Sequence, residues 1–164
     1  MAESNTDNIQ APAKRVVLIS RDIDAPRERV FQAWIDPSQM ARWWGPRHFT
    51  IPVCEADARP EGALKIVMRG PDGVDYPMTG NFQAVVKPER ISFSAIARDE
   101  ASNPLLEALT VVTFDEIGRR TRITVQASAV GLASVAAKML DGMEAGWRQS
   151  LDKLADFLAS GTTP

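Results

Sequence analysis

Residues 40–49, MARWWGPRHF, bring two adjacent tryptophans, a Gly-Pro break and the chain's one histidine into a single short stretch. Histidine is the residue type best suited to general-base work near neutral pH. His48, however, follows Gly-Pro-Arg in a loop, and no triad-like spacing supplies a group to orient it. Trp43 and Trp44 are neighbours at a helix end and must point in different directions, so one can seal a core while the other lines a cavity mouth or faces solvent. Plain packing is the favoured role, because large aromatic side chains are mostly buried. Glu55, Asp57 and Arg59 alternate, which in a strand places all three on one face. Turned into a cavity, their carboxylates would be the best acid or base available. The cost of burying unpaired charge favours a wet outer face and ordinary ion pairs instead. Tyr76 joins His48 as a candidate acid or base, and Cys54, in an apolar-to-small strand without a partner motif, reads as an inert buried thiol.

Composition narrows the chemistry further. The chain has 164 residues, 45% of them apolar, enough for one domain with its own core. A net charge of -2, with acidic and basic residues interspersed, offers no basic face for nucleic acid. Cys54 is the only cysteine, so neither an internal disulfide nor the Cys/His spacing of a structural zinc site is available, and a reducing cytoplasm is the expected setting. No segment approaches the roughly 18 apolar residues of a membrane span, so no membrane insertion is expected. Phosphate-loop, dinucleotide, serine-elbow and zinc-protease motifs are all missing from the sequence, and no cofactor or metal is implied.

The elements that must position these residues follow from periodicity. RVVLISRDI (15–23) is β-branched and partly alternating, as a half-buried strand is. Pro26 suits a helix start, and Val30, Phe31 and Trp34 share a face of a short helix. Asp36-Pro37-Ser38 starts a second short helix that Gly45-Pro46 must stop. Five or six strand-like segments follow: FTIPVCEADAR, ALKIVMR, DYPMTGNFQAVV, RISFSAIAR, LLEALTVVTFDE and TRITVQASA. The turns between them are short, which favours an antiparallel meander, and Pro52 and Pro77 mark edges or bulges. From Ser134 to Leu158 one long amphipathic helix is predicted, with Met139, Met143, Trp147, Leu151 and Leu154 on its apolar face. Only the concave face of the sheet is large enough to bury that stripe. Residues 1–13 read as a disordered lead-in, 14–159 as the domain and 160–164 as a frayed tail.

This order of elements resembles the helix-grip fold of the START and Bet v I-like superfamily, also called SRPBCC: an α+β architecture with a curved antiparallel sheet of about six or seven strands wrapped around a long C-terminal helix. Local wording carries the likeness further. R-x-I-x-A-P-x-x-x-V-F at 21–31, D-P-x-x-M-A-R-W-W-G-P at 36–46, P-D-G at 71–73, G-x-F at 80–82, K-P-E-R-I-S-F at 87–93 and G-W-x-x-x-L-x-x-L at 146–154 resemble the family related to the C-terminal domain of the activator of heat-shock-protein-90 ATPase. Where many relatives read R-x-G-G, this chain has Arg59-Pro60-Glu61-Gly62, which changes the turn at that rim.

The resemblance implies a cavity between helix and sheet more than a reaction, since the fold hosts binders and enzymes alike. The expected function is binding of a small hydrophobic or amphipathic molecule, lipid-like in character, by Trp43, Trp44, Met68, Tyr76, Met78, Phe82, Phe93, Met139, Met143 and Trp147. Methionine-rich walls adapt to varied shapes. Tyr76, Thr110 and Ser150 are the polar groups available to orient a guest. A cyclase-like or hydrolase-like enzyme using Tyr76, His48 or a strand carboxylate remains a rival reading. So does a chaperone-associated interaction module using the sheet face or the Trp43-Trp44 loop. The chain has no room for the extra chaperone-binding domain of the two-domain eukaryotic co-chaperone, so that full role is not expected. A monomer and a homodimer built on an exposed edge strand are both compatible with the sequence.

Overall fold

Alternation turns into strands wherever one face can be buried, and the first strand shows the rule: in β1 (Lys14–Ile23) Val17, Ile19 and Ile23 are buried while Val16 and Leu18 face out. The computed structural model describes residues 13–159. The expected lead-in and tail therefore fall mostly on residues 1–12 and 160–164, outside the described residues, while the Ala13 carbonyl already accepts a hydrogen bond from the Gly131 amide. Two short helices follow β1, α1 (Arg27–Ile35) and α2 (Pro37–Trp43), then β2 (Thr50–Ala56), β3 (Ala63–Arg69), β4 (Asp75–Val86), β5 (Arg90–Arg98), β6 (Pro104–Ile117) and β7 (Arg120–Gly131). The described residues end in α3 (Ala136–Asp141) and α4 (Met143–Ala159).

The seven strands form one antiparallel sheet in the order β1-β7-β6-β5-β4-β3-β2. Consecutive hairpins explain the run from β2 to β7. β1 then adds beside β7, so β1 and β2 lie at opposite edges and the chain between them must cross the whole sheet. α1 and α2 make that crossing, α1 against β6 and β7 and α2 against β2. They close one end of the concave face. α4 packs on α2 and β1, and α3 packs on the end of β7. The architecture is the helix-grip fold that the order of elements implied.

Two details of the sheet answer specific sequence signals. Pro52 lies on edge strand β2 where the register with β3 shifts, and Pro77 lies just beyond the last β4–β5 pair, Met78 with Ala97, so neither missing N–H interrupts a ladder. In the departing turn, Glu61 adopts φ +68°, a left-handed conformation that glycine takes without steric cost. Its amide bonds the Phe82 carbonyl at 2.8 Å and holds the turn.

One expectation needs correction. The predicted single helix over 134–158 is two helices, α3 and α4, parted at Gly142. The apolar period runs straight through this position, so periodicity alone hides the break. Glycine's low helix propensity permits it. The Gly142 amide turns back to the Leu140 and Lys138 carbonyls.

Candidate functional site

The MARWWGPRHF stretch is a corner built from three directions. Asp36 ends α1 and caps α2: its carboxylate accepts from the Ser38 amide at 3.0 Å, the Ser38 hydroxyl at 2.8 Å and the Gln39 side chain at 3.1 Å. These bonds, the Ser38 hydroxyl first, hold its carboxyl below the usual carboxylate range. α2 stops at Trp44 because Gly45 turns to φ +87° and Pro46 cannot continue the helix. The loop is then clasped from α4. Lys153 Nζ donates to the carbonyls of Trp44, Gly45 and Pro46 at 3.2, 3.2 and 3.4 Å. Burial, with a smaller contribution from the Arg47 charge, lowers the Lys153 pKa. The Arg47 amide donates to Gln149 at 3.0 Å, and Asp152 pairs with Arg21.

Inside this corner the aromatic rings lock together. Trp34 lies 4.6 Å from Trp43 and 5.9 Å from both Trp44 and Trp147, centroid to centroid; Phe31 meets Phe114 edge-on at 5.1 Å. Trp43 is wholly buried and gives its indole N–H to the Ala33 carbonyl at 3.0 Å, which makes it the residue that seals the core. Trp44 is also buried but touches both Phe93 and Trp147.

The concave face divides in two. Toward α1 and α2, Ile91, Val112, Phe114, Ile123 and Val125 meet Phe31, Trp34, Leu151 and Leu154 in a filled core. Toward the other end, the strand register aligns Gly80, Ala95, Ala108 and Ala129 in one row across β4, β5, β6 and β7. A row of small side chains makes a low floor. Gly80 is compulsory there, because a Cβ would lie 1.8 Å from the Ser94 carbonyl. The neighbouring row reads Phe82, Phe93, Thr110 and Ala127, all buried. Around the floor stand Met68, Tyr76 and Met78 from β3 and β4, and Met139, Met143 and Trp147 from the helices, all of them half-buried. The side chains around it reach solvent in part, while the floor beneath them is largely covered: Ala95 is 5% and Ala129 0% exposed.

The acid–base candidates do not converge. His48 is exposed at φ +74°, and no described side chain bonds its ring. Tyr76 sits across from Met68 on the concave face. Glu55, Asp57 and Arg59 are exposed, with Arg59 Nε 2.8 Å from Asp57, in line with the outer-face reading. Cys54 is half-buried; burial first, then the Asp36 and Glu55 charges, push its thiol up to about 11, so near neutral pH it is protonated and a poor nucleophile. Ser150 spends its hydroxyl on the Gly146 carbonyl at 3.0 Å. Among the described residues no cluster of His, Cys, Asp and Glu is arranged to hold a metal.

Sequence reasoning pointed to the large walls of the groove and missed its floor. The only signals were A-x-A spacings at 95–97 and 127–129, which acquire meaning once register aligns them. Two further depressions lie outside the groove. One of about 660 Å³ on the outer face is lined by Lys65, Val67, Asp75, Pro77, Thr79, Arg98, Glu100 and Ser102. Another of about 360 Å³ lies near Arg27, Glu89, Arg90 and Asp115. Both mix charged side chains with apolar ones, Val67 and Pro77 in the first and Val86 and Phe114 in the second.

Comparison with known proteins places this geometry. The family model described as Activator of Hsp90 ATPase homolog 1-like protein matches residues 24–159. Among solved structures, Protein Ms6760 from Mycobacterium smegmatis is 29% identical at a TM-score of 0.70, with 91% of each chain covered. Protein CV1439 from Chromobacterium violaceum is 26% identical at 0.73, covering 87% of this chain and 96% of that one. The AHSA1 protein from Silicibacter pomeroyi shares the fold at 0.76 and 23% identity, covering 90% of this chain and 99% of that one. A comparison with curated proteins gives no match.

Proposed function

The chain belongs to the activator of Hsp90 ATPase homolog 1-like family, and from that premise we propose that it binds a small hydrophobic or amphipathic molecule at the open end of the groove between α3–α4 and the sheet. One observation carries the reading: a floor of Gly80, Ala95, Ala108 and Ala129 lies beneath half-exposed methionines on both walls. Small residues in register remove volume where a core would need it, and exposed methionines on opposite walls leave a flexible apolar mouth. Trp44, Phe82 and Phe93 form the inner end of this site, and Trp147 its lip. The free thiol of Cys54 fits a reducing, cytoplasmic setting.

Native mass spectrometry of the gently purified protein tests the proposal. A discrete extra mass, lost on denaturation and absent from a folded Met143→Trp variant, is expected. Retention of that mass by the variant would place the guest elsewhere. A bare chain that also fails to take up apolar probes would remove the binding role.

A second reading, a protein contact, has its own observation. Val16, Leu18 and Leu109 are exposed at 56%, 67% and 41% on the outer face beside edge strand β1. Exposed apolar side chains on an edge strand, with Leu109 two strands in on the same face, suit a partner chain or a second copy. The same native spectra would show a dimer directly.

A further inference from the structure

The sheet has two edges, and only one of them is defended. The β2 edge carries Pro52, and its register with β3 shifts between Thr50 and Val53. A proline and a bulge are devices by which proteins keep an edge from pairing again. β1, at the opposite edge, runs from Lys14 to Ile23 with no proline and no register shift against β7.

Its pairing with β7 fixes which backbone groups of β1 face outward. The Gly131 amide donates to the Ala13 carbonyl, and the ladder continues in even register from there, so the odd-numbered residues aim their N–H and C=O at β7. The even-numbered ones then lie in non-hydrogen-bonded pairs, whose side chains come closer, and the Ser20 and Thr124 hydroxyls, directly opposite, meet at 3.1 Å. Lys14, Val16, Leu18, Ser20 and Asp22 therefore turn their main-chain groups to the free edge. The same residues carry the exposed Val16 and Leu18 side chains on the outer face.

We infer that β1 pairs antiparallel with β1 of a second copy, Leu18 opposite Leu18 on a two-fold axis, so that the two sheets join into one. This rests on the protein-contact reading above and names its partner. The strand's own sequence selects the register. With Leu18 on the axis, Val16 meets the partner's Ser20 and Lys14 meets the partner's Asp22, and every outward N–H and C=O from Lys14 to Asp22 is matched. Each end of the ribbon gains a pair of opposite charges. Sliding one strand by two residues sets Val16 against Asp22, or Lys14 against Ser20, and loses both charge pairs. On the concave side Arg15 comes beside the partner's Arg21. Arg15 already holds Asp141 at 2.7 Å and Arg21 holds Asp152, so the two cations arrive with their counter-charges.

A single strand edge is a small interface, so association on the order of 10–100 µM is expected. Sedimentation velocity of the full chain from about 5 µM to about 1 mM, together with amide hydrogen exchange followed in ¹H–¹⁵N spectra, tests it. A dimer should grow with concentration. The Val16, Leu18 and Ser20 amides should exchange freely in dilute protein and slow about fivefold or more as the dimer fills, while Val17 and Ile19, already bonded to β7, change little. Leu18→Lys, which brings two ammonium groups together on the axis, should weaken the dimer about tenfold or more. Lys14→Glu sets a carboxylate against the partner's Asp22 and should weaken it about fivefold, with part of the loss recovered in high salt. Both variants alter exposed side chains and keep the fold. A dimer that leaves the even-numbered amides unprotected and ignores Leu18→Lys overturns the edge pairing while a protein contact elsewhere stands. A chain that stays monomeric up to about 1 mM overturns both the pairing and the second copy as partner.

Discussion

The two ends of the groove are built from the same elements and opposite materials. At the α1–α2 end, Phe31, Trp34, Trp43 and Phe114 are at most 1% exposed and interlock ring against ring. At the α3 end, glycine and alanine face half-exposed methionines. The difference divides one amphipathic helix stripe: Leu151 and Leu154 are buried in the core, while Met143 and Trp147 pack against it and are only half-buried. Stability should therefore concentrate at one end and binding at the other.

The sharpest test of that division is Phe31→Ala, which should cost about 3–5 kcal/mol by leaving a cavity in a filled core, read as a drop in the urea midpoint. Next comes the clasp between the ends. Lys153→Met removes three charge-assisted bonds to the Trp44–Pro46 loop; being half-buried, it should cost about 1–2 kcal/mol, with a red-shifted tryptophan emission as the loop loosens. A smaller effect belongs to Asp36→Ala, about 1 kcal/mol for a lost helix cap. The Asp36 carboxyl is held below its ordinary 3.8 in the folded chain, so its stabilisation is present above that pH and fades as pH falls through the folded value. The cost of Asp36→Ala should shrink accordingly in acid. Met139→Ala, at the open end, should cost least, under about 1 kcal/mol, while weakening any bound apolar probe. A loss comparable to that of Phe31→Ala would show the open end to be core after all.

Much of the fold was legible along the chain. ALKIVMR and RISFSAIAR coincide with β3 and β5, and DYPMTGNFQAVV coincides with β4, because half-buried strands alternate and turn residues bound them. The helix break at Gly142 was not legible, since the apolar stripe continues across it. The Trp43-Trp44 pair was legible as a corner but not as an assignment of roles. Only packing shows Trp43 satisfied by Ala33 and Trp44 facing Phe93 and Trp147.

The sequence by itself determined the elements, their order and the apolar stripe that must be buried, because dihedral preferences and side-chain periods are local properties. Tertiary structure alone decided that Gly80, Ala95, Ala108 and Ala129 share a row, and that Trp34 is left with an unmatched N–H. Strand register and helix placement are settled by packing between residues far apart in the chain, and no window along the sequence contains them.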